Sequence, residues 1–186
     1  MDDKKIEIKN FKSKNFIFRG LNQDDKYDVY CLFSDENVMR LDQSNPLKSV
    51  KETEDYINTV TQLNLSPHYM IWGVESKQTN KIIATCGFKN WDRHNQHAEI
   101  GGNLSSQFWG KGYAKEALIT LLNYAFNDMY LNKIYGKTNW KNIPAIKLMS
   151  KIGFKQEGSL QEHQLLHGKY EDVLLFALLK KDYMLK

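Results

Sequence analysis

The chain has little that would tie it to a metal, an oxidising compartment or a membrane. Its 186 residues include only two cysteines, Cys31 and Cys86. They lack C-x-x-C spacing and histidine partners, so both read as small buried side chains rather than a disulfide or metal site. The five histidines, His68, His94, His97, His163 and His167, are scattered. No His-x-x-x-His or H-E-x-x-H pair sets two imidazoles on one ion, and no metal is expected. No stretch approaches the roughly 18 apolar residues of a membrane span. The start Met1-Asp2-Asp3-Lys4-Lys5 lacks the apolar core of a secretory signal, so a cytoplasmic chain without a membrane partner is expected. There is no basic arm either. The net charge of +4 is spread along the sequence, which argues against strong nucleic-acid binding. Trp72, Trp91, Trp109 and Trp140 therefore read as core or cleft walls, not as base-stacking platforms.

What is present is a chain 41% hydrophobic and 26% charged, enough for one globular domain over residues 1–186 with a full core. Ile6 and Ile8 alternate, and Phe16 to Leu21 forms a second strand-like run before an Asn22 cap. A helix over 24–33 follows. A second helix starts at Ser49, with Glu52 completing a capping box and Tyr56, Ile57, Val60 and Leu63 on one face. Residues 69–74, 81–92 and 96–104 then read as an antiparallel meander. Beyond it come a long helix, a strand over 133–138, and a helix over 144–152 stopped by Gly153. Two last strands meet across Leu166-His167-Gly168-Lys169. The order predicts a mixed α/β (α+β) arrangement, with strand 133–138 free to lie parallel to strand 96–104 because a whole helix separates them.

The most telling segment is Gln107-Phe108-Trp109-Gly110-Lys111-Gly112-Tyr113-Ala114. It follows a strand and opens a helix whose apolar stripe is Ala114, Ala117, Leu118, Leu121 and Ala125. Glycines two apart let the backbone approach a ligand, and the helix start offers unpaired N–H groups and the positive dipole end. A phosphate-bearing ligand is expected. A P-loop would need Lys and Ser or Thr where Tyr113 stands, and a dinucleotide fingerprint would need a small residue in place of Lys115.

Gln-x-x-Gly-x-Gly ahead of a helix resembles the acetyl-coenzyme A loop of the GNAT N-acetyltransferase superfamily. Two further segments extend the likeness over about residues 15–180. Asn142-Ile143-Pro144-Ala145, with Gly153-Phe154 and Glu157-Gly158 after it, resembles the RimJ and RimL type, as does Gly168-Lys169-Tyr170-Glu171-Asp172-Val173. The resemblance implies a single GNAT-type domain. Its mixed, mostly antiparallel sheet has about seven strands with a splayed parallel pair, flanked by about four helices.

It also implies acetyl-coenzyme A as donor, with the pyrophosphate held by the loop Gln107, Phe108, Trp109, Gly110, Lys111, Gly112, Tyr113 and Ala114. The pantetheine arm would lie along the strand ending at Asn103 and Leu104, where Gly101-Gly102 suggests a bulge or a close backbone approach. Asn142, with Ala145 beside it, would contact the cofactor, and Asn142 is also a natural helix N-cap.

Acetyl transfer to an amine requires the ammonium to lose a proton before nitrogen attacks, and a hydrogen-bond donor for the oxyanion that follows. Glu99, on the acetyl-bearing strand, is the candidate base, with His97 an alternative; a backbone amide near Asn103 or Leu104 is the candidate donor. The general acid departs from the family pattern. Met149 stands where many members carry Tyr, and Ala145 where RimL-like members carry Ser. Tyr135, Tyr113, Tyr170 or water would then protonate the thiolate, or it leaves unassisted. The acceptor is expected to be a protein N-terminus, as in the ribosomal-protein class, or a small-molecule amine such as a polyamine or an antibiotic. A homodimer is compatible with the likeness alone. A coenzyme A binding module without catalysis is the alternative; a nucleotide phosphotransferase is disfavoured by the absent lysine-hydroxyl pair.

Overall fold

Alternating apolar residues build the centre of the molecule, an eight-stranded sheet in the order β1-β2-β3-β4-β5-β6-β8-β7. The computed structural model describes residues 8–42 and 44–185, so the expected alternation of Ile6 and Ile8 lies partly outside it. The strands are β1 (Phe11–Lys12), β2 (Phe16–Arg19), β3 (Met70–Ser76), β4 (Ile82–Asp92), β5 (His97–Leu104), β6 (Lys133–Asn139), β7 (Lys155–Leu166) and β8 (Lys169–Leu179). The helices are α1 (Lys26–Phe33), α2 (Glu36–Met39), α3 (Val50–Leu63), α4 (Tyr113–Asn123), α5 (Ile143–Ile152) and α6 (Lys180–Met184). This is the expected α/β architecture with short β1, α2 and α6 added. All neighbouring strands are antiparallel except β5 and β6.

Side chains alternate across a strand, so each face of the sheet gathers its own core. Ala98 and Ile100 of β5 point to the face where α4 brings Leu121 and Leu122, and Ala125 and Phe126 extend that packing. Phe18, Trp72 and Phe88 are buried in the same cluster. Burying side chains of this size contributes about 1.5–3 kcal/mol each. Val29, Leu32, Ile57 and Val60 form a second cluster that seats α1 and α3. The long helix stops its α-type winding at Asn123, and Tyr124–Asp128 continues as a π-type turn. The apolar stripe therefore persists to Ala125 while the hydrogen-bond pattern changes.

The caps differ in detail from expectation. Ser49 accepts from the Glu52 N–H at 3.2 Å, but the Glu52 carboxylate reaches past Ser49 to the Lys48 N–H at 2.9 Å. The reciprocal box forms at Asn22 and Asp25 instead, around the 3-10 turn Gln23–Asp25 that leads into α1. Gly153 closes α5 with φ 115°, and the β7–β8 turn uses φ 49° at His167 and 77° at Gly168. Both cysteines are free, but only Cys86 is buried; Cys31 is exposed on α1, correcting the expectation for that residue. Among the described residues no helix is long and apolar enough to cross a membrane.

Candidate active site

Strands β5 and β6 pair only through His97 with Lys133, Ala98 with Ile134 and Glu99 with Tyr135. Past Glu99 and Tyr135 they part, because β5 runs on beside β4 and β6 beside β8 without pairing each other. The opening is a cleft of about 680 Å³. Its walls include Ile100 to Leu104 of β5, Gly136 to Asn139 of β6, and Ala114, Ala117 and Leu118 of α4. Asn142, Ala145 and Met149 of α5 also line it.

The glycine pair of β5 divides its labour. Pairing with β4 is continuous through Gly101 and Gly102, so of the two alternatives expected there, a bulge or a close backbone approach, the bulge is absent; the register shift falls between Lys89 and Asp92. A Cβ on Gly102 would lie 2.6 Å from the Cys86 Cβ and from the Thr85 carbonyl oxygen, so its bareness serves strand packing. A Cβ on Gly101 would meet nothing within 4 Å.

The loop at the head of α4 has the form its glycines predict. Gly110 and Gly112 adopt φ 73° and 79°, and neither position has an atom near where a Cβ would stand. Gly112 is the N-cap of α4 and offers no side-chain cap, so the first amides of the helix are not satisfied from that position. Trp109 donates its indole N–H to the Leu104 carbonyl at 2.8 Å, pinning the loop to the end of β5. Tyr113 packs edge-on against Phe16 and stacks with Phe108, whose ring carries Lys111. Gln107 lies in the 3-10 turn Ser106–Phe108. Gln107 to Gly112 form the loop beyond the cleft and Tyr113 begins α4; of the residues expected to hold the donor, Asn103, Leu104, Ala114, Asn142 and Ala145 line the cleft itself. Uncapped amides, left-handed glycines facing open space and parted strand edges together fit a diphosphate with an extended arm.

On the face away from α4, Glu99 is 3% exposed and lines the cleft just where the strands separate. Lys89 Nζ lies 3.2 Å from one carboxylate oxygen, and Lys137 Nζ 3.6 Å from the other. The Asn90 amide donates to the same carboxylate at 3.0 Å. Asn90 adopts φ 53°, within the irregularity of β4, which turns its side chain toward Glu99. These partners were not apparent in the sequence. The only signal was that Lys137 stands two residues after Tyr135, on the same strand face.

Tyr135 is held at the closed end of the gap, edge-on to His97, and does not line the cleft. Burial, and secondarily the Glu99 charge, push its hydroxyl above the ordinary tyrosine range. Tyr113 is occupied by packing, and Tyr170 is exposed on the β7–β8 hairpin. His97 leaves a buried Nδ1 without a hydrogen-bond partner. Met149 is buried in the cleft wall with no proton to give. The Asn142 side-chain oxygen caps α5 by accepting from the Ala145 N–H at 3.3 Å.

The segment after α2 closes the same face. Asp42 accepts from the Asn103 amide at 3.3 Å, and Leu41 offers its carbonyl to Gln164 at 3.1 Å. Gln164 in turn accepts from the buried Asn139 at 3.0 Å. Two extra residues in β7, between the Leu160–Val173 and Gln164–Glu171 pairs, let Gln164 and His163 reach the cleft. Tyr56 hydrogen-bonds Thr85 beneath Asp42, and burial pushes its hydroxyl up to about 12. Asp35 is held below the usual carboxylate range chiefly by the Ser106 hydroxyl, which ties the α1–α2 turn to the loop before α4.

Residues 15–155 match the family described as the Acetyltransferase (GNAT) domain. An uncharacterized N-acetyltransferase p20 of Bacillus licheniformis is 36% identical over 157 residues, spanning 84% of this chain and 88% of that one. The crystal structure of spermidine N-acetyltransferase from Vibrio cholerae, in complex with CoA and spermine, superposes with a TM-score of 0.80 at 25% identity. It covers 92% of this chain and 99% of its own. The [ribosomal protein uS5]-alanine N-acetyltransferase of Escherichia coli is 26% identical over 113 residues, 60% of this chain and 58% of that one.

Proposed function

The chain belongs to the GNAT acetyltransferase family, an enzyme with acetyl-coenzyme A as donor, and from that premise we propose that it acetylates a primary amine approaching from the Glu99 face. The observation that carries this reading is the parting of β5 and β6 immediately beyond Glu99. It leaves an opening through the sheet with α4 amides on one side and a buried carboxylate on the other. The donor supplies an activated acetyl thioester. Amides of the α4 loop and the β5 edge hold it, and Asn142 and Ala145 border its path.

Glu99 takes the acceptor's proton, directly or through one water, while Lys89, Lys137 and Asn90 fix its carboxylate. The backbone near Asn103 and Leu104 stabilises the oxyanion. With Tyr113 packed away, Tyr170 out on the hairpin and Tyr135 outside the cleft, thiolate departure proceeds without a tyrosine in contact with it.

The acceptor is a protein N-terminal amine, as the ribosomal-protein relative and the RimJ/RimL resemblance suggest, or a small amine of the polyamine kind, as the spermidine enzyme suggests. Thiol release from acetyl-coenzyme A should rise with at least one member of a panel of N-terminal peptides, polyamines and aminoglycosides. A panel giving no release above background, from protein that binds the donor, would refute the proposal.

A further inference from the structure

The cleft already contains an amine. Lys137 is on β6, one of the two strands that border the gap, and its Nζ lies 3.6 Å from the carboxylate assigned above as base. Lys89 is the nearer lysine at 3.2 Å and also lines the cleft, but it stands on β4, whereas Lys137 stands on one of the two strands that part. Pairing explains why both reach Glu99. Lys89 stands directly opposite it, whereas Lys137 follows Tyr135, its partner across the gap. Glu99 is the anionic partner of Lys137, and the Lys137 side chain is 35% exposed. An amine beside the base, on the acceptor face, at the margin of the donor channel, has the placement of an acceptor.

Resting on the acetyl-transfer reading, we propose that Lys137 is a self-acetylation site. The Lys137 Nζ gives a proton to Glu99, its freed lone pair forms the N–C bond to the acetyl carbon, and the C–S bond of the thioester breaks. The nitrogen then sheds its second proton, which the thiolate takes up, and Glu99 returns the first to solvent, so one acetyl-coenzyme A becomes one coenzyme A and one Nε-acetyl-lysine, with no oxidant or further reactant. The event occurs once per chain. It leaves Glu99 with Lys89 as its only lysine partner, while an external amine that displaces Lys137 from the carboxylate competes with it. The reaction is intramolecular, so its rate does not depend on protein concentration.

The test is peptide mapping by mass spectrometry after incubating the full chain with acetyl-coenzyme A alone. Lys51 and Lys155 serve as internal references, since their side chains are 76% and 75% exposed and both are more accessible to uncatalysed acetylation. Acetyl occupancy at Lys137 should exceed theirs by about tenfold or more, the margin expected for a positioned amine. It should be unaffected by diluting the protein and should fall to the reference level in Glu99→Gln. Lys137→Arg should remove the modification from that peptide and leave the references unchanged. Occupancy at Lys137 no higher than at Lys51 and Lys155, in protein that binds the donor by calorimetry and acetylates an external amine, would overturn the proposal while leaving the proposed function intact. Absence of donor binding would overturn both.

Discussion

At the scale of the residue, Glu99 shows what a buried carboxylate needs in order to stay in a core wall: every oxygen has a partner, from Lys89, Lys137 or Asn90. Glu99→Gln retains the shape and the Asn90 contact but cannot take a proton. Thiol release with an active amine should fall by about 100-fold, within the usual range for loss of a general base, with the donor dissociation constant changed less than twofold. Stopped-flow rates together with calorimetry check this; an unchanged rate would move the base elsewhere. The residue's position, on the strand before the glycine loop, was legible from the strand pattern. Its lysine partners were not, since they come from strands 10 and 38 positions away along the chain and meet only through sheet register. Met149 and Ala145 were equally legible as unable to donate a proton, and the structure places both in the cleft wall.

At the scale of the element, the junction of loop and α4 was readable because its physics is local. Positive φ at Gly110 and Gly112 follows from backbone sterics, and the strand and the helix stripe around it are periodic. Since nothing stands near a Gly112 Cβ, the penalty for substitution is conformational, not steric. Gly112→Asn should keep donor affinity within about threefold, because Asn tolerates the left-handed region. Gly112→Val should weaken it about tenfold or more, from a left-handed cost of roughly 1–2 kcal/mol. Calorimetry with acetyl-coenzyme A distinguishes the two; equal losses would show that the open space, not the φ angle, matters. The four-residue α2, the two-residue β1 and the extra residues of β7 were not readable. Each is too short for a period, and each depends on contacts such as Asp35 to Ser106 or Gln164 to Leu41.

At the scale of the whole molecule, Glu116 joins the β1–β2 turn to α4. It accepts from the Ser13 hydroxyl at 2.7 Å and from the Asn15 backbone N–H and side-chain amide at 2.7 and 2.6 Å. Burial alone would raise its pKa, but the bonds from Asn15 and Ser13 outweigh it and hold the group below its ordinary 4.5. A carboxylate whose folded pKa is depressed contributes stability above pH 4.5 and loses it as pH falls through the folded value. Glu116→Gln should therefore lower stability at pH 7 by about 1–3 kcal/mol and flatten the acid limb of a urea-midpoint-against-pH curve. A variant whose acid limb is as steep as that of the parent would exclude this linkage. β5 and β6 touch through three rungs alone. Most of the seam between the two half-sheets has no cross-strand ladder of its own, so its amide hydrogens have little to shield them from the solvent. Any extended, amide-bearing arm laid in that seam would stitch the halves together, and occupancy of the donor site would then be felt as rigidity across the entire domain.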